Sequence, residues 1–282
     1  MDTADQQSLF GPNPHEPLTK PPDGPPERMR LLITVKAAPN PSETYGETVC
    51  VAGIRIDREP HQWIRLYPIN FRELENDRKF KKYDIVSLEA RPARPDPRAE
   101  SYRPLIHTVQ TETSLGTWKK RKPFIIDQVQ LSMCEVLAAV RASPPARSLA
   151  AIRPRMVKDL LIKPHPGWSA AEQAKIDNYL RQGDLLNSGP RTALEAPRFK
   201  GWYEYLCQSP TCKGHQQGIY DWEWVALQRK LRGRSDAETR AELRRKFFDQ
   251  MCGPEYDTIF YVGNQAKHQQ GFMVLGVFYP KR

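Results

Sequence analysis

The sequence lacks the long apolar run that a membrane-spanning helix requires. A bilayer-crossing helix needs roughly 18 or more consecutive apolar residues, and the 39% of hydrophobic residues here are scattered in short stretches. The first 28 residues hold many prolines and little apolar length, which does not fit a secretory signal. We therefore expect a cytoplasmic protein without a membrane segment.

Three glycine-based signatures of common enzymes are also missing. The sequence contains no Gly-x4-Gly-Lys-Ser/Thr phosphate loop, no Gly-x-Gly-x2-Gly dinucleotide motif and no Gly-x-Ser-x-Gly nucleophile turn. Each motif shapes the backbone for one kind of chemistry. ATPase, dehydrogenase and serine-hydrolase activities therefore have no support in the sequence.

Cysteine is scarce, and its number, five, is odd, which does not fit a disulfide framework. Two of the cysteines instead lie beside a histidine in the pattern Cys207-x4-Cys212-x2-His215. Thiolates and imidazoles are the ligands that zinc prefers, and the short spacing lets one turn present three of them. Pro210 and Gly214 bend the chain between these positions. The pattern predicts most of a structural Zn2+ site.

The fourth zinc ligand must come from elsewhere in the chain. Cys252 is the first choice because it ends a predicted helix, and His268 in the terminal hairpin loop is the alternative. A catalytic zinc would keep one position open and use a nearby carboxylate, for which Asp221 and Glu223 are the candidates. Acidic residues in the first turn of a helix are explained by the helix dipole, so the sequence favours a structural zinc.

The charge balance favours an anionic partner. The chain carries a formal net charge of +10, and a field of this sign attracts polyanions such as nucleic acids. Part of the charge is concentrated in one run, and phosphate contacts use such patches. The run consists of Lys119, Lys120, Arg121 and Lys122.

The N-terminal part is rich in short β-strand patterns from residue 29 to residue 142. The predicted strands are Leu31 to Lys36, Thr48 to Ile54, Trp63 to Tyr67, Tyr83 to Glu89 and Tyr102 to Val109, with a further strand at Phe124 to Ile126 and a helix at Gln128 to Arg141. This order of strands over residues 30 to 110 resembles the small PUA or ASCH-type barrels that bind RNA or modified bases. The resemblance implies a nucleotide pocket or groove near Trp63 to Arg72.

The segment from Trp63 to Arg72 interleaves cationic and aromatic residues, a mixture that can stack bases and hold phosphates. Alternation along a strand places its odd-numbered members on one face, and a polar loop over residues 96 to 103 adds further candidates. The predicted nucleic-acid-binding residues, besides the lysine-rich run, are Trp63, Arg65, Tyr67, Arg72, Arg98, Tyr102 and Arg103.

The remaining segments complete an α+β fold. Residues 1–28 are predicted to be a disordered, proline-rich tail, and residues 143–149 a linker between the barrel-like lobe and a mainly helical, zinc-stabilised lobe over residues 150–282. Two capping boxes, Ser169-x2-Glu172 and Ser235-x2-Glu238, should begin helices. A third helix is expected from Asp221 to Leu231, and a β-hairpin from Thr258 to Val262 and Phe272 to Phe278.

Together these features predict a non-catalytic protein that binds DNA or RNA, as a subunit that positions it for a partner enzyme. One alternative is a metal-dependent nuclease, for which Asp84 and Glu89-x-Arg91 imitate the required spacing with arginine in place of lysine. Another is a protein-interaction scaffold that uses exposed aromatic residues such as Trp63 or Trp202.

Overall fold

The fold is taken from a computed structural model, which describes most of the chain after residue 18. The described residues are 19–44, 46–71, 74, 76–142, 146–181 and 192–282. Residues 1–18 of the predicted tail and residues 143–145 of the predicted linker lie outside them. The last part of the predicted tail is ordered, because Lys20 donates to the carbonyls of Asp96 (2.7 Å) and Arg98 (2.8 Å) and Glu27 begins the first strand.

The first lobe is a closed five-stranded barrel, as the strand patterns predict. Its strands pair in the order β1-β5-β6-β4-β3, β3 returns to β1, and the short β2 extends the sheet beside β3. All pairs are antiparallel except β4 with β6. The strands are β1 Glu27–Lys36, β2 Asn40–Ser42, β3 Gly46–Arg55, β4 Gln62–Ile69, β5 Asp84–Pro92 and β6 Ser101–Ser114, with a 3-10 turn at Asn76–Arg78.

Strand β1 is buried on both faces. Leu31 and Ile33 point into the barrel core, whereas Leu32 and Val35 pack against the second lobe. A strand covered on both sides has no need of polar alternation. This explains the nearly continuous apolar run that begins at Leu31.

The second lobe contains two three-stranded antiparallel sheets and short helices, with sheet orders β10-β9-β8 and β12-β11-β7. Its elements, after α1 Trp118–Ile126, are α2 Met133–Ala142, β7 Leu149–Ile152, β8 Met156–Pro164, α3 Ala170–Arg181, β9 Phe199–Leu206, β10 His215–Gly218, α4 Trp222–Lys230, α5 Asp236–Arg244, a π-helical turn at Arg245–Gln250, β11 Ile259–Gln265 and β12 His268–Phe278.

The prediction of a mainly helical second lobe is wrong. Strands account for 41% of the described residues and helices for 23%. Strand β9 was missed. Its residues Phe199, Gly201, Tyr203 and Tyr205 are buried and alternate with partly exposed residues, which is the period-two pattern of a half-buried strand. The strand predicted at Phe124 to Ile126 is instead the end of α1.

The helix starts in the second lobe were predicted correctly. Ser235 and Glu238 form the reciprocal capping box of α5, and the Ser169 hydroxyl accepts from the Glu172 N–H before α3. Asp221 caps α4 by accepting from the Glu223 N–H at 2.9 Å. The terminal hairpin also forms, from β11 and β12.

Helix α2 packs with the second lobe, although it lies before the predicted linker. Its buried residues Met133, Val136 and Val140 join the core in which Tyr203 stacks on Phe260 with ring centres 4.7 Å apart. The second lobe therefore begins before residue 133.

The two lobes are joined by polar contacts as well as by a shared apolar layer. Arg65 of the barrel donates to the carbonyl (3.0 Å) and hydroxyl (3.1 Å) of Ser148, whose own N–H donates to Glu100. Lys82 binds both carboxylate oxygens of Asp221 at 2.7 Å.

None of the helices described here has the length and apolar character needed to cross a membrane.

Candidate metal centre and basic groove

Four side chains of the second lobe converge on one point. They are Cys134, Cys207, Cys212 and His215, and their ligand atoms all lie within 4.8 Å of one another. In the part of the chain that the structure describes, no other group of three or more Cys, His, Asp or Glu side chains is arranged to hold a metal ion. The three ligands predicted from local spacing are thus joined by a fourth from α2.

The hairpin between β9 and β10 presents three of these ligands. Cys207 follows β9, His215 begins β10, and the tight turn between them is closed by the Cys212 N–H, which donates to the Ser209 carbonyl at 3.1 Å. Gly214 has a positive φ of 114°, which a residue with a side chain rarely adopts. Pairing of His215 with Tyr205 fixes the direction of the imidazole. Helix α2 then brings Cys134 over the turn.

The distances suit a tetrahedral zinc ion. The sulfur of Cys207 lies 3.5 Å from that of Cys134 and 3.4 Å from Nε2 of His215, which is 3.3 Å from the sulfur of Cys212. Zinc bonds of about 2.3 Å to sulfur and about 2.0 Å to nitrogen place neighbouring tetrahedral ligands roughly 3.5 to 3.8 Å apart. A disulfide would need sulfurs about 2.0 Å apart, whereas this arrangement could hold a metal ion.

The surroundings of the cluster favour ionisation at one thiol. Burial opposes ionisation of Cys207, but hydrogen bonds involving the Cys134 backbone and the His215 ring outweigh it and lower the pKa of Cys207 to about 6. Burial and the neighbouring Cys207 raise the pKa of Cys134 to about 12. The thiolate is the form of cysteine that binds metal. The cluster can therefore offer a first thiolate near neutral pH.

The fourth side chain of the candidate metal cluster is Cys134, whereas Cys252 or His268 was predicted. The thiol of Cys252 lies elsewhere in the core, 3.5 Å from the Phe247 carbonyl, and burial raises its pKa to about 12. His268 is exposed at the start of β12. Cys134 carries no local spacing signal, because it is 73 residues from Cys207. The cysteine count leaves Cys50, Cys134 and Cys252 as candidates, and no local pattern selects among them.

A second feature is an open groove on the barrel, of about 940 Å3. Its floor is apolar and contains Pro68, Pro92 and Pro104. Tyr67, 48% exposed, stands at its side with its hydroxyl 3.2 Å from that of Thr48. The cationic residues that line it are Arg91, Arg94, Arg98, Arg103 and Lys267.

Two of these cations face each other, and the described residues supply no counter-ion for either. Arg91 and Arg103 are register partners on β5 and β6, and both are exposed. Neither side chain makes an ion pair or hydrogen bond with another described residue. Like charges directly opposite each other on neighbouring strands destabilise a sheet. Lys267, from the hairpin of the second lobe, is a further exposed cation that lines the groove.

Several predicted binding residues have structural roles instead. Trp63 is 7% exposed and packs edge-on against Tyr261, and Arg65 is buried against Ser148. The alternation of this strand was read correctly, but the second lobe covers the face that was expected to bind. Arg72 lies outside the described residues.

The loop residues divide between structure and surface. Arg98 is bound to both carboxylate oxygens of Asp96 and to the Asn264 carbonyl, so it ties the loop to the second lobe. Tyr102 packs into the barrel core beneath the groove. Arg103 is the exposed member of this set.

The lysine-rich run lies on α1, at the far end of the β5–β6 pair from the groove. Asp84 pairs with Ser114 close to α1, whereas Arg91 pairs with Arg103 at the groove; seven residues of strand separate them by about 23 Å. Lys119, Lys120 and Lys122 are exposed. The guanidinium of Arg121 instead lies 3.9 Å from the ring centre of Tyr83.

The carboxylates proposed for a nuclease are held in structural contacts. Asp221 binds Lys82 and caps α4, and Asp84 is buried and accepts from the Lys81 N–H at 2.7 Å. Glu89 and Glu223 do not join either of them in a group able to hold a metal among the described residues. The nuclease alternative remains a prediction without a metal site of its own.

Residues 128–282 match a family described as a domain of unknown function, DUF8757, which covers more than half of the chain. The chain belongs to this family. Residues 27–127 match a second domain of unknown function, DUF8758. No curated protein matches the chain significantly. The two matched regions meet between α1 and α2, so all four ligands of the metal cluster lie in the DUF8757 region and the barrel lies in the DUF8758 region.

Proposed function

We propose that the protein binds single-stranded nucleic acid in the groove beside Tyr67, without catalysis, and positions it as a subunit of a larger assembly. The observation that carries the proposal is the unpaired, register-matched couple Arg91 and Arg103. Their mutual repulsion costs stability in the free protein. A bound phosphate would convert the same proximity into two favourable contacts.

The other walls of the groove fit the same ligand. An exposed tyrosine can stack a base whatever its identity, and stacking requires a base that is not paired in a duplex. Tyr67 offers such a ring beside the cations. The resemblance of the strand order to PUA and ASCH-type barrels, whose members bind RNA or modified bases, agrees with this proposal.

We also infer that the Cys3His cluster binds one zinc ion with a structural role. Four protein ligands complete a tetrahedron and leave no open position for water or substrate. The ion would connect α2 to the β9–β10 hairpin, two segments far apart in the chain, and its binding would contribute directly to the stability of the second lobe.

The nucleic-acid proposal is tested by fluorescence anisotropy with labelled single-stranded RNA and DNA over a range of salt concentrations. Arg91→Ala and Arg103→Ala should each weaken binding and reduce the salt slope by about 1, as expected for one lost phosphate contact. Lys158→Ala is the matched control, since Lys158 is an exposed cation on β8.

Both groove variants should be at least as stable as the wild type, because each removes a like-charge contact. Loss of binding therefore cannot be attributed to unfolding. The proposal fails if the wild type shows no salt-dependent binding, or if Arg103→Ala behaves like Lys158→Ala. Metal-dependent degradation of the same oligonucleotides would instead favour the nuclease alternative.

A further inference from the structure

A second, smaller cavity lies where α3 covers the β2 edge of the barrel, beside β9 and β10. Its volume is about 160 Å3. Aromatic rings dominate its walls, with a few polar groups between them. The residues that shape it and offer polar groups include His165, Trp168, Glu172, Trp202, Gly218 and Tyr220.

Two glycines let aromatic rings approach β9 and β10 closely. A side chain at Gly201 would come within 2.7 Å of the ring of Trp224, so its absence lets this buried ring pack directly on β9. A methyl group at Gly218 would lie 3.5 Å from Nε1 of Trp202 and 3.7 Å from the ring of Tyr220. Trp202 and Tyr220 therefore flank a slot whose base is the backbone at Gly218. Such a slot suits a flat ligand that stacks on rings.

The charges around the cavity do not favour a cationic ligand. The Glu172 carboxylate already accepts from the N–H (2.9 Å) and hydroxyl (2.7 Å) of Ser169, and Glu195 is paired with Arg232. The Nζ of Lys163 lies 6.0 Å from the centre of the Trp202 ring. A second cation would meet this positive charge, so the ring faces are better matched to a neutral ligand.

The polar groups can recognise the edge of a heterocycle. The indole N–H of Trp202 has no hydrogen-bond partner among the described residues. Nδ1 of His165 accepts from the Gly167 N–H at 3.0 Å, which assigns the proton of the neutral ring to Nε2. Burial and the nearby Lys200 lower the pKa of His165 and favour that neutral form. Two donors thus accompany Glu172, which is an acceptor.

The cavity and the groove are connected across three neighbouring strands. Asn40, which lines the cavity, is the register partner of Thr48, and the Thr48 hydroxyl lies 3.2 Å from that of Tyr67, which lines the groove. Directly paired residues point to the same face of a sheet. The two sites are therefore neighbours on one face of the barrel edge.

We propose that this aromatic cavity binds one nucleobase turned out of the strand that lies in the groove. The presence of a strand in the groove rests on the proposed function. The binding of a base rests on the cavity alone. A base released from stacking is recognised by aromatic contacts and by hydrogen bonds to its edge, and the slot, the two donors and the carboxylate supply these.

The test uses free nucleosides, which carry no phosphate and do not depend on the groove cations. The 15N–1H signals of the tryptophan indoles are recorded while adenosine, guanosine, cytidine or uridine is added. At least one nucleoside should shift the Trp202 and Trp168 signals to saturation. The signal of Trp222, which packs under Arg229 and does not line the cavity, should remain fixed.

Two variants make the test specific. Gly218→Ala fills part of the slot through ordinary van der Waals contacts and should weaken nucleoside binding by about tenfold, the size of one base–aromatic contact. Trp222→Phe is the control and should leave it unchanged. Arg103→Ala should also leave nucleoside binding unchanged while it weakens strand binding.

The outcomes separate the cavity from the groove. If no nucleoside shifts Trp202, or if tetramethylammonium shifts it and nucleosides do not, the inference is overturned even when the wild type binds a strand. If nucleosides bind but no strand does, the proposed function is overturned and the cavity is a site for a free heterocycle. Strand binding that Gly218→Ala weakens supports the full inference.

Discussion

The two lobes complete their cores by different means. The barrel closes through the pairing of β3 with β1, so backbone hydrogen bonds complete its core without any added group. The second lobe consists of two separate three-stranded sheets, and its α2 and β9–β10 hairpin meet at four metal-ligating side chains. A closed barrel removes sheet edges, whereas the second lobe leaves segments that a metal ion can fasten.

This difference also separates the proposed roles. The groove lies mainly on barrel strands that are rigid because they are closed, and rigid elements hold binding groups in place. The metal cluster contributes no residue to the groove. We therefore expect the metal to act on nucleic-acid binding through the stability of the second lobe and the position of Lys267.

The largest expected effect comes from removing the metal. Purified protein should contain one zinc ion per chain, and Cys134→Ser should abolish it, because structural zinc requires all four ligands. Zinc binding of this kind is worth on the order of 10 kcal/mol, comparable with the stability of a whole domain. Elemental analysis gives the occupancy. Cys252→Ser is the control and should keep the ion.

Hydrogen exchange after chelation then tests the comparison between the lobes. Amides of α2, β9 and β10 should lose protection, while those of β3 and β5 should keep it, since the barrel closes without metal. The comparison breaks down if β3 and β5 lose protection as fast as β9. Loss of zinc from Cys252→Ser would instead contradict the assignment of Cys134.

The second effect concerns the ion pair that connects the lobes. In Lys82→Met the carboxylate of Asp221, 2% exposed, is left buried without its partner. Such a loss typically costs about 3 to 5 kcal/mol. Urea denaturation at pH 7 measures the difference in the free energy of unfolding between wild type and Lys82→Met. Lys81→Met, which removes the neighbouring exposed side chain, should change stability by less than about 0.5 kcal/mol.

The pH dependence gives the pair a signature. Burial opposes protonation of Lys82, but Asp221 outweighs it and raises the pKa of Lys82 above its ordinary value. A lysine whose pKa is raised in the folded protein stabilises the fold at pH values below the ordinary lysine pKa of about 10.4. This stabilisation is lost as the pH rises above that value. Burial raises the pKa of Asp221 to about 6 even beside Lys82, and loss of the lysine charge would raise it further in Lys82→Met. The stability difference between wild type and Lys82→Met should therefore be largest in mildly alkaline solution and shrink above about pH 10.4. A difference that does not shrink at high pH would contradict the pair.

The sequence was sufficient where structure depends on local periodicity. The five barrel strands follow short apolar runs, and the helix starts follow capping residues such as Ser235 and Asp221. The parallel pairing of β4 with β6 has no local signal, because it joins Arg65 to Ser101 only when the barrel closes. Strand β9 was missed although Tyr203 and Tyr205 carry its alternation.

The candidate sites show the same limit. Three of the candidate metal ligands lie within one turn and were found, whereas Cys134 is brought to the cluster by the packing of a distant helix. Tyr67 and Arg103 were identified as binding residues, but the groove also needs Lys267 from the other end of the chain. Trp63 follows the alternation predicted for its strand. It is buried because the second lobe covers it, and no local pattern encodes the position of that lobe.

The smallest expected effect concerns helix capping in the second lobe. It tests whether one cap contributes much less to the stability of this lobe than the metal does. Ser235→Ala removes the hydroxyl that accepts from the Glu238 N–H in the capping box on α5 and should lower the free energy of unfolding by about 1 kcal/mol. Ser235→Thr keeps the hydroxyl and should retain most of it. Both variants should bind zinc fully, since Ser235 is not one of the four residues of the cluster. Urea denaturation of the zinc-loaded variants measures the loss, and a cost of several kcal/mol would mean that α5, rather than the metal, holds this lobe together.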